Sequence, residues 1–302
     1  MNTEISNLAE DVLSWKLFLN GAKKRKLQMP TKSTLDNRLI ISTDNFFIIA
    51  GLGTFAPGYF LVIPKNLYTS FAQLNDKEII EYSWLINILK ESIRKNYNSD
   101  TALFEHGMCA CAGGLDHAHV HLMPIPKKID ENKIKKILNK ILKKRAAGIN
   151  KIEFRNNTLD NVHDISTIIN FSEDFKITDG KLLKSEDLNN FPLDFEKTRK
   201  KLLLQEQYIY FKNLSNPFGF CTKHHLGTQF GRELVYEILF NHNNDYKDAF
   251  NQLNRSNPTK IIWRWQDYLF EKNILSTMKI LSDYLRNNNI SKKFKLKIFV
   301  KW

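Results

Sequence analysis

His117, His119 and His121 stand at every second position of "GGLDHAHVHLMPIP", residues 113–126, separated by Ala118 and Val120 and followed by Leu122. A period of two is that of an extended strand, whose side chains alternate between its faces. One strand would therefore show three imidazoles on one open face and an apolar row on the other. Imidazole gains or loses its charge near neutral pH and serves as nucleophile, proton donor or metal ligand. A zinc or iron site is one reading, but three such rings span about 13 Å along a strand. A separate carboxylate or histidine would have to complete the shell, and the chain has no HExxH motif. The other reading is phosphoryl or nucleotidyl transfer, with His119 as nucleophile between two imidazoles that bind or protonate phosphate oxygens.

Other residues join these by type and spacing. Glu105 and His106 end the apolar run "TALFEHG", so one of the two faces the same pocket. Gly113 and Gly114, in "CACAGG", let backbone N–H groups approach a phosphate, and Asp116 suits a turn. Gln229 and Arg232 lie three apart near a helix start, where an arginine fork and a helix N-terminus both favour phosphate oxygens. Trp263 and Trp265 read as core anchors. "GLGTFA", residues 51–56, mimics a dinucleotide fingerprint, but Pro57-Gly58 and another strand follow where a helix is needed. No GxxxxGK[ST] phosphate loop occurs.

The pattern along the chain predicts the elements that position these groups. Residues 4–20 read as an amphipathic helix, followed by three strands at 38–43, 46–51 and 59–65 that form a meander. A helix over 75–96, capped by Asn75 or Asp76, precedes strands at 101–107 and 117–125. A Lys-rich amphipathic helix covers 131–146 and ends at Gly148. A polar interval around 148–165 marks a boundary, giving units of 1–150 and 151–302. The second unit reads as a hairpin (207–213 and 218–222) followed by helices at about 228–240 and 266–286.

The formal charge of +13 favours acidic partners such as nucleotides. The Lys-rich helix makes nucleic acid a partner to weigh, though no nucleic-acid module accompanies it, and that reading is not favoured. Three cysteines without a CxxC pair, and an N-terminus unlike a secretory signal, point to the cytoplasm. No run of 18 apolar residues is present to span a membrane.

"HAHVHLM" resembles the His-x-His-x-His signature of the histidine triad (HIT) superfamily of nucleotide hydrolases and transferases. "APGYFLVIPKN", "SFAQLNDKEI" and "FEHG" precede it in the family's order, so the resemblance runs over about 38–126. It implies that His119 attacks an α-phosphorus to form a nucleotidyl-histidine. It also implies that the His117 carbonyl orients His119, and that His117 and His121 contact phosphate oxygens or the leaving group. Tyr59 and Lys65, on the segment after the Pro-Gly turn, fall beside the substrate by the same resemblance. Galactose-1-phosphate uridylyltransferases of the superfamily have Gln where this chain has His121, which favours the hydrolase-like branches. Two positions depart from the pattern: Tyr59 replaces a common histidine, and Gly51 replaces an Asp or Asn that holds ribose hydroxyls.

The expected fold is α+β, a HIT-like antiparallel sheet with flanking helices plus a C-terminal mixed, mainly helical domain with a short hairpin. Longer bacterial-type members resemble the C-terminal region, with a Q-x-x-R helix and a Trp-containing segment. The family's habit of pairing through sheets implies a homodimer, or a C-terminal half that takes the partner's place. The expected function is hydrolysis or transfer at the α-phosphate of a nucleotide-like small molecule through His119, with no cofactor and no obligatory metal. A catalytically weak nucleotide- or RNA-binding sensor and a zinc-dependent hydrolase are the alternatives.

Overall fold

The computed structural model describes residues 38–66, 68–107, 118–130, helical positions within 133–144, the strand backbones at 208–212 and 217–221, and residues 229–290 and 296–298. The expected helix at 4–20 and the division at 150/151 lie outside the described residues.

Among the described residues, eight antiparallel strands form one sheet in the order β7-β6-β4-β5-β3-β2-β1-β8. They are β1 (Leu39–Ser42), β2 (Phe46–Ala50), β3 (Phe60–Pro64), β4 (Asp100–Gly107), β5 (Val120–Ile125), β6 (Tyr208–Lys212), β7 (Pro217–Cys221) and β8 (Lys297–Ile298). The helices are α1 (Asp76–Tyr97), α2 (Phe230–His242), α3 (Asn244–Ser256) and α4 (Glu271–Asn287). None of the described helices is long and apolar enough to cross a membrane.

Alternation divides the strands between two cores. Phe46, Ile48, Phe60, Val62, Leu103, Val120 and Leu122 point to one face, where α1 contributes Tyr82, Leu85 and Leu89, and α4 contributes Leu281 and Leu285. Ala102, Phe104, Met123 and Ile125 point to the other, under Phe230, Leu234, Val235 and Ile238 of α2. Ile134, Ile137, Leu138 and Ile141 of the Lys-rich segment pack there as well. Two of its lysines, Lys140 and Lys144, lie 3.0 Å from Glu237 and Glu233 of α2. The face carrying the histidines is thus roofed by a C-terminal helix, whereas the sequence suggested an open surface.

The second half of the chain contributes strands to the sheet of the first half. β6 pairs with β4, Phe104 opposite Phe211, and β8 pairs with β1 at the far edge. The edge of β4 is therefore filled by the chain's own hairpin. α3 was not foreseen: "NDYKDAFNQLNRS" is polar and buries Phe250 alone. The helix expected at 266 begins at Glu271, after turns at 261–268 and a left-handed Phe270 with φ of 54°.

α1 starts with a capping box. Asn75 Oδ1 accepts the Glu78 N–H and Glu78 Oε2 accepts the Asn75 N–H, which satisfies two orphan donors. Asn75→Ala should lower stability by about 1 kcal/mol, read as a shift of the urea midpoint at unchanged slope.

Candidate active site

The register places the site. Phe104 of β4 lies opposite His121 of β5, and Leu61 of β3 lies opposite His121 on the other side. Residues directly opposite across a ladder share a face, so Phe104, His121 and Leu61 point together. His121 is 9% exposed, and its ring is held between two others. The Phe104 ring is stacked on it at 4.3 Å between centroids and 11° between planes, and the Tyr59 ring lies at 5.8 Å and 15°. Tyr59 Oη is 2.6 Å from His121 Nδ1.

His119 precedes β5 and is partly exposed, with its ring centroid 4.8 Å from that of His121. His106 is the third imidazole of the site, 6.0 Å from His121. Its Nε2 accepts the Gly231 N–H from the first turn of α2 at 3.3 Å. Gly231 allows that approach, because a Cβ there would stand 2.2 Å from the Phe104 ring.

Burial holds the His121 pKa well below the usual imidazole value, and the charges of His119, His106 and Arg232 lower it further. Burial raises that of Tyr59, against the Arg232 guanidinium, which lowers it. At neutral pH the pair is a phenol beside a neutral imidazole. Stability should follow from this. Above about pH 6.5 an unfolded histidine is neutral too, and the contribution of His121 is fully present. Below that pH the unfolded ring takes a proton that the folded ring refuses, so stability falls until the folded pKa is reached. Urea midpoints should therefore drop between pH 7 and pH 5. His121→Gln should flatten that slope, leaving a smaller part from His242, whose pKa burial and Lys133 also lower.

Several expected site residues lie elsewhere. Glu105 pairs with Val120 and faces the α1 side, where its Oε1 accepts the Phe71 N–H at 2.7 Å. It does not reach the histidine face, because neighbours on a strand point oppositely; His106 is the one of the two that does. Lys65 is on the histidine face, but its Nζ lies over the Phe47 ring of β2 at 5.0 Å, on the side of β3 away from β5.

Gln229 and Arg232 are engaged within the protein. Gln229, left-handed at φ of 63°, accepts the Trp265 N–H at 3.1 Å and donates to Gln266 Oε1 at 2.8 Å. Arg232, 2% exposed, donates from Nε to Trp263 O at 2.8 Å, from Nη1 to Leu52 O at 2.7 Å, and from Nη2 to Gly53 O. A guanidinium fork that could meet a phosphate meets three carbonyls. His117, Gly113 and Gly114 lie outside the described residues.

Gly51 and Tyr59 form one packing unit. A Cβ on Gly51 would stand 2.3 Å from the Tyr59 ring, so the tyrosine fills the space a side chain at 51 would need. Sequence reasoning missed Asn273 and Thr277 of α4. Asn273 Nδ2 donates to Thr54 O, and Thr277 Oγ1 accepts the Gly58 N–H, each at 2.8 Å. No local pattern marks them. Among the described residues no group of three or more His, Cys, Asp or Glu side chains is placed to hold a metal.

Residues 32–128 match the family model described as HIT domain. Among solved structures, the chain is similar to a Hit-like protein involved in cell-cycle regulation from Bartonella henselae, crystallised with an unknown ligand. The identity is 15%, over 30% of this chain and 72% of that one, with a TM-score of 0.25. No curated protein matches the chain.

Proposed function

We propose, because residues 32–128 belong to the HIT superfamily, that this protein binds a nucleotide-like phosphorylated small molecule and cleaves it at the α-phosphate. The observation that carries the reading is the pairing of His119 with a buried, neutral His121 at 4.8 Å between ring centroids. A neutral imidazole offers one acceptor and one donor. His121 Nδ1 is taken by Tyr59, which leaves Nε2 for the substrate.

A ring nitrogen of His119 attacks the α-phosphorus, and the bond from phosphorus to the leaving group breaks. The leaving group departs with the electron pair of that bond, and its charge is met by a proton or hydrogen bond from the flanking imidazole. Water, or another acceptor, then attacks the same phosphorus, frees His119 and releases the nucleotide. Phosphoanhydrides, phosphoramidates and dinucleoside polyphosphates all fit this sequence. Hydrolysis is favoured over transfer, with no cofactor required. Because Tyr59 occupies the space beside Gly51, no side chain at position 51 grips the sugar, and the phosphate supplies the main hold.

The test is rapid acid-free quenching after mixing with α-labelled nucleotides. Label that stays with the protein in base and leaves in acid is the expected result, since a phosphoramidate has that stability. Absence of label across a panel of ribo- and deoxyribonucleotides and dinucleoside polyphosphates would favour a binding protein without turnover.

A further inference from the structure

Among the described residues four rings neighbour His121, and two of them reach solvent. Tyr59 and Phe104 are buried, whereas His119 and His106 are each partly exposed, with centroids 4.8 and 6.0 Å from that of His121. The ladder between β4 and β5 relates these two. It pairs Phe104 with His121 and Glu105 with Val120, and one further step in the same register sets His106 across from His119. Opposite residues of an antiparallel pair share a face, with Cβ atoms about 5 Å apart, so one phosphate can touch both. The mouth of the site is therefore lined by His119 and His106, and the buried His121 lies behind them.

His106 is also fixed at one edge. Its Nε2 accepts the Gly231 N–H from the first turn of α2 at 3.3 Å, and its ring meets that of Phe230 edge-on at 6.3 Å between centroids. A backbone N–H can only donate, so the nitrogen that takes this bond carries no proton and the ring's own proton sits on Nδ1. His106 thereby serves the site as a donor and not as a base. Negative charge that grows on a phosphate oxygen is met best by a donor oriented before the reaction begins. We infer that His106 is a further catalytic residue: across the ladder from the attacking His119, it donates a hydrogen bond from Nδ1 to an oxygen of the α-phosphate. No bond to His106 forms or breaks, and its proton stays on Nδ1 throughout. The first turn of α2, from the C-terminal half, holds the ring for that task.

The inference rests on the proposed function for the reaction it assists, but the contact is measurable without turnover. The full chain is titrated calorimetrically with AMP and with inorganic pyrophosphate, mixed with α-labelled ATP under single-turnover conditions, and unfolded in urea. Two substitutions divide the ring. His106→Gln keeps an acceptor within reach of Gly231 and has no donor at the Nδ1 position, whereas His106→Asn carries an N–H there and gives up the bond to α2. His106→Gln should keep the urea midpoint of the wild type, label about 10²-fold more slowly, the scale of losing one oriented donor, and bind AMP about tenfold more weakly. His106→Asn should lower the midpoint and stay closer to the wild type in labelling and binding than His106→Gln does. The inference is overturned if His106→Gln binds and labels as wild type, or if His106→Asn loses as much of both, which would make the ring a strut for α2. If the wild type never labels but His106→Gln still weakens AMP or pyrophosphate binding, the cleavage reading falls and the contact stands. If both proteins label at one rate and bind alike, the contact falls and cleavage stands. A wild type that neither binds nor labels sinks both.

Discussion

His119→Ala should abolish the base-stable label and lower kcat/KM by about 10⁴-fold or more, the scale of losing a covalent nucleophile. The protein should remain folded. His119 is partly exposed and precedes the first hydrogen-bonded residue of β5, so its truncation removes little packing, and the change in unfolding free energy should stay within about 1 kcal/mol. Quench-flow labelling and urea denaturation on the same preparation separate the two effects. A variant that still labels as wild type would place the nucleophile elsewhere. His121→Ala gives the useful contrast, because that ring fills space between Phe104 and Tyr59 and its loss should reduce both activity and stability.

Gly231→Ala should destabilise the protein by about 3 kcal/mol, at the upper end of overpacking effects. The added methyl would stand 2.2 Å from two carbons of the Phe104 ring. That ring cannot retreat, because it lies stacked on His121 within the sheet. Either α2 lifts, which breaks the Gly231 N–H bond to His106 Nε2, or Phe104 turns and displaces His121. Activity should therefore fall with stability. A cycle with Phe104→Leu, which opens space under the helix, tests the cause: in that background Gly231→Ala should cost markedly less. Additive costs would show that the glycine serves another purpose.

The central sheet was legible because its signals are local. β1, β2 and β3 are apolar runs separated by turn residues, and the HxHxH period puts Val120 and Leu122 on the face away from His121. Of the two residues able to cap α1, Asn75 and Asp76, the structure uses Asn75. Choices between equivalent neighbours were not legible. That one of Glu105 and His106 faces the histidines follows from strand alternation, but which one depends on the register of Phe104 against His121. The Gln229 and Arg232 pair reads the same whether it meets phosphate or carbonyl oxygen, since both are acceptors. Only the approach of the segment 263–266 and the loop at 52–53 decides. The departures at Gly51 and Tyr59 looked like two separate losses, and packing makes them one exchange of volume.

The pairing of β1 with β8 bears on how such a chain is made. Ile41 meets Ile298, so one margin of the sheet stays open until a strand far downstream in the sequence has been made. Until then the nascent strands display unpaired amide and carbonyl groups, the feature that recruits stray chains. Closing that margin is a long-range step, and the protein's yield in a cell should respond to chaperone supply more than its finished stability suggests.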